Sequence, residues 1–108
     1  MPSYTVVQNL LQQVQIPKDG ISSHTIHHDD RIKVVVLGFA GGQELSYSLS
    51  EPAILEVLKG DARVTLDGEE NELSGGSWVQ MEAGLPHAIY ARSDVIMLLT
   101  TLSGAQTS

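Results

Sequence analysis

Short runs of alternating apolar and polar residues, separated by turn-forming residues, make up most of the chain after Gly20. Alternation over four to eight residues is typical of a β-strand with one buried face. The pattern predicts strands over Ile21 to His28, Arg31 to Phe39, Glu44 to Leu49, Ala53 to Leu58, Ala62 to Leu66, Glu70 to Leu73, Ser77 to Met81, His87 to Ala91 and Val95 to Leu102. Because no long helix separates them, we expect antiparallel sheets.

The breaks between the predicted strands consist of residues that favour turns. They are Asp29-Asp30, Gly41-Gly42, Gly60-Asp61, Asp67-Gly68, Gly75-Gly76 and Ser93-Asp94. The Asp67-Gly68 pair, between two short strands, is the clearest tight hairpin. Many short strands with regular turn signals predict an all-β sandwich or barrel.

The ends of the chain follow a different pattern. Val7, Leu10 and Val14 lie at helical spacing before Ile16-Pro17, which predicts a short helix over Thr5 to Val14. We therefore expect residues 1–20 to form a short helix or an arm, and residues 21–102 to form the barrel. Residues 103–108 are small and polar, and are expected to form a flexible tail.

Composition bounds the chain to one domain. It has 108 residues, of which 42% are hydrophobic and 18% charged, enough for a single independent core. The absence of cysteine excludes disulfides, thiolate metal sites and cysteine nucleophiles. We find no phosphate loop, dinucleotide fingerprint or serine-hydrolase motif.

Net charge and hydropathy limit the kinds of partner that the protein is expected to bind. The formal net charge is −7, and the basic residues are scattered, so the surface should repel phosphate backbones and no nucleic-acid binding is expected. Apolar runs such as Val34 to Leu37 are far too short to cross a membrane. The start of the chain shows no basic segment followed by an apolar stretch, so a cytoplasmic location is the expectation.

A glycine and histidine pattern marks the later strands. The motif G-x5-P-x-G-x2-H-x3-N aligns with Gly76, Glu82, Gly84, His87 and Ala91, and three of its five fixed positions match.

A motif earlier in the chain lacks its metal-binding residues. The motif G-x5-H-x-H-x3–4-E-x6-G keeps its glycines at Gly42 and Gly60. Counting from the first glycine places the histidine positions on Ser48 and Ser50, and counting back from the second places the glutamate position on Ala53. The two counts disagree by one or two residues, so the register of this motif stays open.

With these two motifs, residues 41–102 resemble the small single-domain cupins over about two thirds of the chain. The resemblance implies an all-β, cupin-type double-stranded β-helix, also called a jelly-roll barrel. In metal-dependent cupins the histidine pair, the glutamate and the late histidine converge inside the barrel. Here no histidine occurs between His28 and His87, so we expect no family-type metal centre and no cofactor.

His87 and a strand of serines are candidate ligand groups. His87 would either hydrogen-bond a small ligand or act as a structural histidine paired with hydroxyls. Ser46, Ser48 and Ser50 share one strand face, which would either line the cavity or form an ordinary polar face.

Large apolar residues could complete the pocket. Tyr47, Trp78, Met81 and Tyr90 would form its wall or, more commonly, part of the core. The predicted ligand-binding residues are therefore His87, Ser48, Ser50, Ser46, Met81 and Tyr47.

A second concentration of possible ligands covers residues 24–30, His-Thr-Ile-His-His-Asp-Asp. On a regular strand His24 and His28 would share one face and His27 would project from the other. A solvated or interface strand is the simpler interpretation. The alternative is a relocated metal site, in which His24 or His28 reaches His87.

Two functions follow from these observations. We favour a small-molecule binding or sensing protein, because the barrel pattern is kept while the metal chemistry is missing. The alternative is a metal-dependent cupin enzyme, of the oxygenase or isomerase type, that uses relocated histidines.

A homodimer is also expected. Val34 and Val36 point to one side of their predicted strand, while Val35 and Leu37 point to the other. One side packs the barrel, so the other needs a partner. The resemblance to cupins, which pair through outer strands, implies the same assembly, with the N-terminal segment contributing.

Overall fold

The structure is a computed structural model that describes residues 3–103. Its strands are β1 (Ile21–His28), β2 (Ile32–Phe39), β3 (Glu44–Tyr47), β4 (Ala53–Lys59), β5 (Asp61–Leu66), β6 (Glu69–Ser74), β7 (Trp78–Met81), β8 (His87–Ala91) and β9 (Val95–Leu102). Each predicted strand is confirmed, with ends that differ by no more than two residues. Of the predicted tail, residues 104–108 lie outside the described residues.

Two antiparallel sheets form the barrel, as the sequence predicted. The five-stranded sheet has the order β1-β2-β9-β4-β7, and the four-stranded sheet has the order β3-β8-β5-β6. Most strands that pair within a sheet are not consecutive in the sequence, because the chain crosses repeatedly between the two sheets. This is the jelly-roll arrangement expected above.

The core lies between the inner faces of the two sheets. Alternate residues of the strands point inward, for example Leu55 on β4, Ile89 on β8 and Met97 on β9, which are almost wholly buried. Burying a side chain of this size contributes roughly 1.5–3 kcal/mol to the free energy of unfolding. This dense interior fixes which side chains face inward at each end of the barrel.

The N-terminal segment is an arm with one helical turn. The helix predicted over Thr5 to Val14 is wrong, because only a 3-10 helix at Leu10–Gln12 forms. Val14 lies against Gly38 on the outside of the barrel instead, and Ser22 Oγ of β1 donates a hydrogen bond to Gln15 O of the arm at 2.5 Å. Within residues 3–103 no helix has the length and hydropathy needed to cross a membrane.

The outer face of the five-stranded sheet carries apolar side chains as well. Val36 is fully buried on this face, where the register places it opposite His24 and Leu98. Trp78, at the far edge of the same face, is 61% exposed, so the expectation that it belongs to the core or to a pocket wall is wrong. The strand register explains this position, because Trp78 pairs with the outward-facing Glu56.

Candidate functional site

One end of the barrel gathers the inward-facing polar side chains. In the five-stranded sheet, register pairing places Lys33 beside Thr101, and further along the same row places Met81. In the four-stranded sheet the last inward row contains Tyr47 and His87. The loops at residues 48–52 and 82–86 join the two sheets at this end. We call this end, defined by those five residues, the mouth.

His87 is the buried polar residue of the mouth. It is the first residue of β8 and only 4% exposed. Its Nδ1 donates to the carbonyl oxygen of Leu85 at 3.2 Å, and its ring lies edge-on to the Tyr47 ring, with centroids 4.2 Å apart. These contacts hold the imidazole in one orientation inside the barrel.

The other ring nitrogen of His87 has no partner. Among the buried side-chain nitrogens and oxygens of residues 3–103, only Nε2 of His87 lacks a hydrogen bond. A buried polar atom left in this state costs roughly 1–3 kcal/mol. Because the carbonyl of Leu85 can only accept, Nδ1 carries a hydrogen, and in the neutral ring Nε2 is then an acceptor. A donor that reached Nε2 would recover this cost.

The ring of Tyr47 contacts this imidazole. It lies on β3 directly opposite His87 in the register. Burial raises the pKa of the Tyr47 phenol, so the hydroxyl stays protonated at neutral pH and can both donate and accept. The structure brings His87 and Tyr47 into contact, and the binding of a ligand by them and by Met81 stays a prediction.

A small pocket opens at the mouth, and the sequence analysis missed most of it. The pocket has a volume of 220 Å³ and is lined by Lys33, Val35, Leu49, Glu51, Leu99 and Thr101. We call it the mouth pocket. A signal for it was present in the sequence, because Lys33 alternates with the inward-facing Val35 and Leu37 and therefore places a charge on the barrel face of β2.

The serines of β3 point away from the interior. Ser46, Ser48 and Ser50 are exposed, whereas Tyr47 between them is half-buried. Ser46 and Ser48 nevertheless line a cleft that His87 also lines, so the structure brings part of the predicted set together. Their binding of a ligand stays a prediction.

Two of these serines line a cleft together with His87. The cleft has a volume of 320 Å³ and is lined by Ser46, Tyr47, Ser48, Thr65, Gly68, Pro86, His87 and Ala88. Ser46, Ala88 and Thr65 form one row across three strands, next to the row of Tyr47, His87 and Leu66. Ser50 is not part of its lining.

A β-bulge rearranges the histidines of β1. His24 pairs with Val36 and His28 pairs with Lys33, and the register shifts between Thr25 and His27. Val36 and Lys33 lie on opposite faces of β2, so His24 faces outward and His28 inward. The predicted shared face of His24 and His28 is therefore wrong, because the bulge inserts one residue and reverses the alternation.

His27 and Asp29 have a structural role at the end of β1. His27 Nε2 lies 2.7 Å from Asp29 Oδ2, and Asp29 Oδ1 accepts hydrogen bonds from the backbone of Arg31 and Ile32. The imidazole of His27 and these two N–H groups hold the pKa of the Asp29 carboxyl far below its usual range. The cluster therefore closes the turn between β1 and β2.

The possible metal ligands among the described residues do not form one cluster. No group of three or more His, Cys, Asp or Glu side chains in residues 3–103 is placed to hold a metal ion. Zinc sites in proteins use at least three such ligands. The structure does not bring His24, His28 and His87 together, since His24 faces outward from the other sheet.

Comparison with known proteins identifies similar folds. No protein-family model matches this chain, and no curated protein matches it by sequence. Among solved structures, the chain is similar to a conserved protein of unknown function from Streptococcus pyogenes, with 31% identity and a TM-score of 0.82. The match covers 94% of this chain and 90% of that one.

More distant structures share the same architecture. A cupin superfamily protein from Desulfitobacterium hafniense is 20% identical, with a TM-score of 0.82, and the match covers 95% of this chain and 94% of the other. The DMSP lyase DddQ from Ruegeria pomeroyi is 18% identical, with a TM-score of 0.71, over 82% of this chain and 49% of that one. At these identities the likeness shows the fold alone.

Proposed function

We propose that this chain, which has the cupin fold, binds or senses a small molecule at the mouth of its barrel. One observation carries the proposal: the buried Nε2 of His87 has no partner among the described residues. Buried polar groups in proteins are almost always hydrogen-bonded. A ligand that donates to Nε2 would satisfy this nitrogen and would be favoured by the energy so recovered.

We propose further that binding here does not use the usual cupin metal centre. His87 aligns with the late motif histidine, whereas the count from Gly42 places the histidine pair on Ser48 and Ser50, which are exposed, and no histidine occurs between His28 and His87 in any register. The alternative is an enzyme in which His24 or His28 reaches His87; it has no specific support, because no group of three or more His, Cys, Asp or Glu side chains in residues 3–103 is placed to hold a metal ion.

The mouth favours a small ligand with a polar group. The cleft that His87 lines has a volume of 320 Å³, at the lower end of the roughly 300–1,000 Å³ of sites for drug-sized molecules. Ser46, Tyr47 and Ser48 add hydroxyl-bearing side chains to its lining. Pro86 and Ala88 provide apolar contact.

A thermal-shift screen of small metabolites tests this function. A ligand that binds the native state raises its melting temperature by mass action, and we expect His87→Ala to lose most of that rise. His24→Ala is the matched control, because it removes an outward-facing imidazole from the same protein. If each stabilising molecule acts equally on wild type and on His87→Ala, His87 is structural and the proposal is wrong.

We also propose that two copies associate through the outer face of the five-stranded sheet. The arm covers the β1–β2 side of this face, where Gly38 approaches Val14 and Gln15. Trp78 remains exposed at the other side, and Tyr4 and Val6 of the arm are exposed too. Exposed aromatic and apolar side chains of this kind are typical of a protein interface. A second copy, which presents the same face, would cover them symmetrically.

A further inference from the structure

Two opposite charges line the mouth pocket without pairing. Lys33 and Glu51 both line its 220 Å³, yet neither makes an ion pair shorter than 4 Å within the described residues. We propose that this pocket binds a small zwitterion, a molecule of amino-acid size that carries one carboxylate and one ammonium group. The lining of this pocket does not include His87 or Tyr47, so the inference goes beyond the proposed function and concerns a second site.

Lys33 is the group that would hold the carboxylate. It lies on the inward face of β2, in line with Val35, Leu37 and Phe39, which face the core. A lysine at such a position extends its charged end toward water at the rim while its carbon chain covers apolar surface. Its flexible ammonium provides three hydrogen-bond donors and a full charge, which a carboxylate accepts.

Glu51 is the group that would hold the ammonium. It is half-buried in the loop between β3 and β4, and it follows Leu49, whose carbonyl accepts a hydrogen bond from the backbone of Gly84 at 2.7 Å. That bond ties the loop to the neighbouring loop of the mouth. A carboxylate held there accepts hydrogen bonds from an ammonium group.

The pocket between these charges suits a compact ligand with an apolar body. Val35, Leu49 and Leu99 form its apolar lining, and Thr101 adds one hydroxyl. The volume leaves room for a small side chain but not for a sugar nucleotide or a peptide.

The pair of charges discriminates between ligand classes. A ligand with only a carboxylate would be attracted by Lys33 but repelled by Glu51. A ligand with only an ammonium group would be attracted by Glu51 but repelled by Lys33. Like charges at close range disfavour binding, whereas complementary charges favour it and fix the orientation. A ligand that carries both charges satisfies both residues. Lys33 stands out in a protein with a net charge of −7, which would otherwise repel an anionic group.

Titration calorimetry with defined probes tests this inference. The probes are L-alanine, L-valine, L-leucine and L-methionine, each compared with its amide, which lacks the carboxylate, and with the acid that lacks the amino group. We expect at least one amino acid to bind, and both of its analogues to bind about tenfold more weakly or worse, because each loses a charged hydrogen bond.

Variants locate the binding in the mouth pocket. Lys33→Met should lower the affinity for the amino acid about tenfold and should not raise the affinity for its deaminated acid. Glu51→Gln should remove the preference for ligands that carry the ammonium group. Lys59→Met and Glu56→Gln remove the same charges outside the pocket and serve as matched controls. They should bind like wild type.

The outcomes separate this inference from the proposed function. Equal affinities for an amino acid and its amide, or unchanged binding by Lys33→Met, would overturn the zwitterion assignment. If none of the amino acids binds while another molecule from the metabolite screen does so through His87, the assignment is wrong and the proposed function stands. If neither set contains a ligand, both proposals fail.

Discussion

Gly60→Ala is expected to be among the most destabilising single substitutions in this protein. Gly60 lies between β4 and β5 with φ of +93°, and a Cβ there would overlap the carbonyl oxygen of Asp94 and touch Val95. Backbone strain of about 1–3 kcal/mol and a comparable packing cost would act together. Domains of this size have a free energy of unfolding of about 5–15 kcal/mol, so a melting temperature lower by more than about 10 °C is expected.

Gly76→Ala is the matched control for this substitution. Gly76 has a similar φ of +101°, but an added Cβ would have no atom within 4 Å. Chemical denaturation of the two variants separates strain from overlap, because Gly76→Ala carries the strain alone. Equal losses of stability in both variants would show that the close approach to Asp94 has no energetic effect.

Trp78→Glu is expected to convert a dimer into a monomer. Trp78 is 61% exposed on the outer face of the five-stranded sheet. Buried tryptophans at interfaces contribute about 2 kcal/mol or more, so the dimer Kd should rise at least about 30-fold. Light scattering during gel filtration at micromolar concentration measures this, with a wild-type mass of twice 11.6 kDa.

Ser46→Glu is the control for the added charge. Ser46 is exposed on the outer face of the other sheet, so this variant should stay dimeric. Because Trp78 is already exposed in the single chain, both variants should keep the wild-type circular dichroism spectrum. A monomeric wild type would contradict the dimer, and a dimeric Trp78→Glu would place the interface elsewhere.

The fold could be predicted from the sequence because local signals and tertiary packing agree in most strands. In β4, for example, Leu55 and Val57 alternate with Ile54 and Glu56, and the first pair enters the core. The N-terminal arm is the exception. Val7 and Leu10 have helical spacing, but residues spaced in this way can also contact a sheet from an extended arm. Packing against the barrel determines which of the two conformations the segment adopts.

The site was harder to predict because it depends on which face of each strand is buried. Leu45 and Tyr47 alternate with Ser46 and Ser48, and this alternation alone could have placed the serines outside. The bulge in β1 leaves no comparable signal, since one inserted residue changes the face of His28 without changing the composition. The pocket residues come from strands and loops far apart in the chain, so only the tertiary structure brings them together.

The most direct test of the account is the state of the His87 imidazole when a ligand binds. Long-range proton–nitrogen NMR correlations report each ring nitrogen separately, and the experiment uses uniformly labelled protein with the tightest-binding molecule from the metabolite screen. We expect Nε2 of His87 to shift on saturation as it gains a hydrogen bond, while Nδ1 keeps its proton and the rings of His24 and His27 do not change. A saturated complex in which the His87 Nε2 resonance stays where it was would contradict the claim that this nitrogen anchors the ligand.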